Sequence, residues 1–169
     1  MFVKDYITGL AFWDTPKERV RQNVERFLIE EKGYTPDDIV VDYEFDVHIP
    51  EGVAKATADL LIRIDGRNAI VIMCAPPSTL VPYEMLALAC ARVLNAPLAV
   101  ATDWDDTTVM DTYSGEILGK DIAAIPAKEE LKLEYKEIPE DKLEKAKRIL
   151  ITYLDILHCK GCRIERQQS

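Results

Sequence analysis

The stretch ADLLIRIDGRNAIVIMCAPP, residues 58–77, decides the fold. It places Asp59 at the head of one apolar run, an Asp65-Gly66 pair after it, and a second apolar run ending in Met73-Cys74-Ala75-Pro76-Pro77. Asp-Gly supplies the positive φ that a tight hairpin turn requires, so the stretch predicts two antiparallel strands joined at Asp65-Gly66. Its second run, Ala69 to Cys74, is apolar on both sides, which predicts a strand in the middle of the sheet.

Upstream, Ile39, Val41, Tyr43, Phe45, Val47 and Ile49 alternate with Asp42, Glu44, Asp46 and His48. Period-two patterning of this length predicts a long strand with one buried face. Glu51-Gly52 turns the chain, and a strand leading into Asp59 returns antiparallel; the hairpin then adds a third and a fourth run. Earlier still, Thr15-Pro16-Lys17-Glu18 has an N-cap threonine, a proline at the first helical position and a glutamate placed to complete a capping box. Val20, Val24, Phe27 and Leu28 follow at helical spacing, and Gly33 is placed to stop the helix, which is expected from about Pro16 to Lys32. Tyr6 to Phe12 reads as a short edge strand.

Downstream, Pro76-Pro77-Ser78 breaks the sheet. Pro82 to Leu94 predicts a second helix with Met85, Leu86, Ala89, Cys90 and Val93 inward and Asn95 as its C-cap. Pro97 to Thr102 reads as a buried strand parallel to the Ala69–Cys74 run, joined to it by a helical crossover, and Thr107 to Tyr113 reads as its hairpin partner. Glu116 to Glu137 is expected to be connecting structure with a helical turn over Lys128–Leu133. A last helix spans about Pro139 to Cys159, with Leu143, Ala146, Leu150, Tyr153 and Leu157 in one seam that packs either on the chain's own sheet or on a second copy. The reading is one α/β domain over 1–138, a central mixed sheet flanked by helices, and a C-terminal amphipathic helix with a cysteine-containing tail over 139–169.

At 169 residues the chain has the length of one domain and can bury a sizeable core. It is 48% hydrophobic, too apolar for disorder, yet has no apolar run near the roughly 20 residues of a membrane span. No signal-peptide pattern opens it, so a cytoplasmic location with reduced cysteines is expected. A net charge of −9, from 30 acidic and 21 basic residues, repels a phosphate backbone and disfavours autonomous DNA binding. Basic residues gather only at Lys142–Arg148 and Lys160–Arg166.

Asp14-Thr15-Pro16-Lys17-Glu18-Arg19-Val20-Arg21-Gln22, Glu31-Lys32-Gly33-Tyr34, Ala58-Asp59-Leu60, Cys74-Ala75-Pro76, Ala101-Thr102-Asp103 and Asp111-Thr112-Tyr113-Ser114-Gly115 follow one another in order. In this order and spacing the chain resembles the N-terminal-type domain of type I restriction enzyme R subunits, in the PD-(D/E)xK, or restriction-endonuclease-like, superfamily, over roughly residues 5–130. The resemblance implies a Mg²⁺-dependent phosphodiesterase centre, in which carboxylates converge on the metal and a lysine supports developing charge. It assigns the hairpin aspartate to Asp59 and the helix acid to Glu18, which would make these two the metal ligands. The acid-x-lysine pair, two apart on one strand and so on one face, falls on Met73 and Ala75, neither of which can bind a hard cation or move a proton. The glutamine of the following helix falls on Glu84, a candidate to stand in for the missing acid, with Arg63 or Arg67 for the lysine.

Each residue also has a structural reading: Glu18 as the capping-box partner of Thr15, Asp59 as a strand end or an arginine's partner, Glu84 as a solvated helix residue. Cys159-Lys160-Gly161-Cys162 beside His158 has the spacing of half a zinc site, completed only if two subunits share it. Two functions follow. One is a catalytically silent or strongly impaired relative kept for nucleic-acid or protein interaction, with a homodimer through the C-terminal helix as one form of it, and no cofactor. The other is a Mg²⁺-dependent DNA endonuclease with rearranged catalytic residues Asp59, Glu18 and Glu84.

Overall fold

The computed structural model describes residues 1–157, with backbone alone for 154–157. A small hairpin, β1 (Phe2–Lys4) and β2 (Ala11–Trp13), precedes helix α1 (Pro16–Glu30). Then come β3 (Ile39–Ile49), β4 (Gly52–Ile64), β5 (Arg67–Cys74), helix α2 (Leu80–Leu94), β6 (Leu98–Thr102), β7 (Thr107–Asp111), β8 (Ile117–Gly119) and helix α3 (Glu140–Leu157). Strands β3 to β8 form one mixed sheet in sequence order, and only the β5–β6 pair is parallel.

The turn chemistry behaves as the sequence dictates. Asp65 and Gly66 take φ of 53° and 77°, the two left-handed positions of a tight hairpin turn. Ala69 to Cys74 are essentially inaccessible to solvent, and β5 lies inside the sheet between β4 and β6. Thr15 caps α1 by accepting the Glu18 N–H at 3.1 Å, and Asn95 closes α2 in the left-handed conformation.

Helices cover both faces. Val20, Val24 and Leu28 of α1 share one apolar cluster with Ile70, Ile72, Cys74 and Val100. Leu86, Ala89 and Cys90 of α2 share the other with Val71, Met73, Ala99 and Ala101, and Ala146 and Leu150 of α3 join it. The α3 seam therefore packs within the chain.

The long hairpin β3–β4 changes faces midway. Ala54, Ala56 and Ala58 belong to the α2–α3 cluster, whereas Leu60 and Ile62, the next even positions, belong to the α1 cluster. On β3, Tyr43, Phe45 and Val47 lie with the first and Ile39 and Val41 with the second. Pairing stays in register throughout, from Val41↔Leu60 to Tyr43↔Ala58. Side chains can switch faces in register only if the pleat is broken on both strands, because the side-chain period is two. On β3 the break is Asp42, at φ 52°, and the β4 residue opposite it is Asp59.

Several expectations are corrected. Tyr6 to Phe12 is no edge strand of the main sheet: its first half turns, and only Ala11 and Phe12 enter the separate β1–β2 hairpin. The run into Asp59 and the first run of the focal hairpin are one strand, β4, so three strands stand where four runs were expected. Helix α1 stops at Glu30 rather than Lys32. Met85 is 41% exposed rather than inward, and its sulfur accepts the Tyr153 hydroxyl at the rim of α3. Residues 117–119, expected as connection, add the edge strand β8 through an irregular pairing with β7 that a three-residue segment does not advertise.

Candidate functional site

Asp59 sits where β4 crosses faces, buried at 5% exposure. Its Oδ1 lies 3.1 Å from the Lys17 Nζ on the first turn of α1, and its Oδ2 accepts the Cys74 backbone N–H at 2.8 Å. The Lys17 ammonium also stands 5.2 Å from the centre of the Tyr83 ring on α2. Burial works most strongly against the lysine's charge, but Asp59, Tyr83 and Cys74 together hold the ammonium above its ordinary value. The adjoining Cys74 thiol is driven well upward, first by burial and then by the Asp59 charge, so it is no thiolate nucleophile.

One turn along α1, Arg21 is 3% exposed at its side chain and bridges Glu18 at 2.7 Å and Asp42 at 2.6 Å, with Phe12 beneath its guanidinium. Two strongly charged partners on a buried arginine give charge-assisted bonds that fix the α1–β3 contact. They also explain how Asp42 is held in its left-handed conformation. Glu18 is accordingly only half of a capping box: its N–H donates to the Thr15 hydroxyl oxygen, while its carboxylate turns to Arg21. Burial raises that carboxyl above its usual value, with Arg21 pulling the other way.

Among the residues picked from sequence, Asp59 is paired with Lys17 of α1 and Glu18 with Arg21 on its own helix, so each is already engaged by a cation. Glu84 does not join them; it accepts the Thr108 hydroxyl at 3.0 Å over β7. Met73 and Ala75 are buried in the α2-side apolar cluster. Arg63 and Arg67 lie at the far end of the hairpin, Arg63 donating to the Gly66 carbonyl and Arg67 stacked 4.0 Å over Tyr135. His158, Cys159 and Cys162 fall outside the described residues.

A Mg²⁺ ion needs several oxygen ligands in near-octahedral array. Here both Asp59 oxygens have partners, Glu18 is bound to Arg21 and Glu84 is elsewhere, and among the described residues no three His, Cys, Asp or Glu are grouped to hold a metal ion. The residues present do not fit the ion. Lys17, Arg21 and Asp42 were not singled out in the sequence. The signal was there in α1: Lys17, Arg21 and Glu25 repeat every four residues on the same stripe as Val20, Val24 and Leu28, so charges run through the buried face.

A mixed sheet between helices, with an aspartate midway along β4 held against the opening helix, makes this an α/β domain. A family model described as the type I restriction enzyme R protein N terminus matches residues 16–126, from α1 past β8, and the chain belongs to that family. Comparison with curated proteins and with solved structures gives no match. Among the described residues, no helix is long and apolar enough to cross a membrane.

Proposed function

We propose that the chain retains the nuclease-related fold as an interaction scaffold and does not hydrolyse phosphodiesters. The observation that carries this reading is the engagement of Asp59: the carboxylate that would anchor a metal is closed from one side by Lys17 and from the other by the Cys74 N–H. Met73 and Ala75, at the acid and lysine positions, support it by contributing packing alone. A net charge of −9 favours a protein partner over DNA.

A lysine beside the aspartate is the feature that favours the second reading, a Mg²⁺-dependent DNA endonuclease in which Lys17 takes over support of the developing charge. The test is incubation of supercoiled and linear DNA with the protein and Mg²⁺ or Mn²⁺, beside Asp59→Ala. No cleavage by either protein is expected. Metal-dependent cleavage that Asp59→Ala abolishes would establish the endonuclease instead.

A further inference from the structure

Glu25 on α1 is wholly buried, and neither of its carboxyl oxygens has a conventional donor in the protein. Beside it lies Asp5, 2% exposed, between β1 and β2 and bonded to Gln22, one helical turn before Glu25 on α1. Asp5 already has four donors and room for one more on Oδ1: Oδ2 accepts the Ile7 N–H, the Thr8 N–H and the Thr8 hydroxyl, and Oδ1 accepts the Gln22 amide at 2.8 Å. Two buried carboxyls in contact cannot both ionise cheaply, and they are compatible when one keeps its proton and donates it to the other. Asp5, with four donors, is the natural anion; Glu25, with none, is the natural acid.

This pair joins two pieces of structure. Residues 1–14 touch α1 through Asp5, through the Tyr6 N–H bonded to Gln22 Oε1 at 2.7 Å, through the Tyr6 hydroxyl on Glu30, and through Arg26 and Arg21 over the Tyr6 and Phe12 rings. The charged groups facing Glu25 are Asp5 from the arm and Glu18 and Arg21 from α1; beyond Arg21 stand Asp42 of β3 and the Cys74 thiol of β5. Arg21 is already shared between Glu18 and Asp42, so it leaves a Glu25 carboxylate poorly compensated.

We infer that the N-terminal arm is latched to α1 by a protonated Glu25 donating to the Asp5 carboxylate, and that loss of this single proton releases the arm from the body of the domain. Burial, and then the neighbouring Asp5, push the Glu25 carboxyl up to about 9, while hydrogen bonds keep Asp5 below its ordinary value despite burial. The sign follows: a raised acid stabilises the closed arm fully below its open-state value near 4.3, and that stability is lost as pH rises through the closed-state value. Asp5 acts oppositely, its contribution disappearing only in strong acid.

The test is backbone hydrogen exchange, corrected for intrinsic rates, at the amides of Tyr6 and Thr8, with β5 amides as control. The arm's opening constant should rise about tenfold per pH unit between roughly pH 6 and 8, the slope of one proton. Glu25→Gln, whose amide can donate permanently to Asp5, should flatten that slope. A carbon-13 titration of the Glu25 carboxyl in the unaltered chain should show its inflection above neutrality. Flat arm exchange in the unaltered chain, the same slope in Glu25→Gln, a slope shared with β5, or an ordinary Glu25 inflection would each overturn the latch.

Discussion

The Lys17 ammonium rests 3.1 Å from Asp59 Oδ1, so the first turn of the opening helix neutralises the aspartate midway along β4. With the Cys74 N–H on Oδ2, each carboxylate oxygen has a partner in its own chain. Asp59→Ala removes the acceptor of both donors and strands a largely covered lysine. Breaking a buried pair from one side costs about 3–5 kcal/mol, and the partial exposure of Lys17 brings the expected loss to about 2–3 kcal/mol in urea unfolding. In the cycle Lys17→Met, Asp59→Leu and the double variant, the double should recover part of the sum of the single losses. Strict additivity would show that the two groups do not interact.

Asp42 offers a separate test of the face change. Asp42→Ala and Asp42→Gly both lose the Arg21 bridge, but only alanine brings a Cβ into the left-handed conformation at φ 52°. Glycine should therefore be the milder change by about 1 kcal/mol. Equal losses would mean that the backbone at Asp42 relaxes out of the left-handed region, and the in-register face change would need another cause.

Cys74 and Cys90 are buried, and burial pushes both thiols up. Both should resist alkylation in the native protein and label only as fast as the domain opens. Mass mapping that finds either modified quickly at neutral pH would contradict their place in the core.

Met73 and Ala75 can be given directly the acid and lysine that the resemblance places there. Since both positions lie in the apolar cluster beneath α2, Met73→Glu with Ala75→Lys should destabilise the domain by about 3 kcal/mol or more rather than assemble a working centre. A stable double variant that cuts DNA would show that these positions open onto the Asp59 site.

Most of the fold was legible because local chemistry settled it. Thr15-Pro16 started α1, Asp65-Gly66 turned the hairpin, Asn95 ended α2, and the unbroken apolar run of β5 identified the interior strand. What alternation alone missed is the switch at Asp42: Ile39 to Ile49 keeps its period in sequence, while a left-handed residue changes which face that period serves. The site was only half legible. Asp59 and Glu18 were picked by resemblance, but their partners Lys17 and Arg21 lie on a helix whose packing angle no sequence window contains. Glu18, read as a complete capping box, divides its backbone and side chain between two partners.

Under the proposed reading, Asp59 is held by Lys17 and the Cys74 N–H and serves no divalent metal. The most direct measurement is a Mn²⁺ titration followed by the paramagnetic resonance of the free ion, with the unaltered protein beside Asp59→Ala. Up to about 1 mM Mn²⁺, the weak end of biological divalent sites, both proteins should leave the free-ion signal equally undiminished. Uptake of one Mn²⁺ per chain by the unaltered protein, lost in Asp59→Ala, would contradict the account.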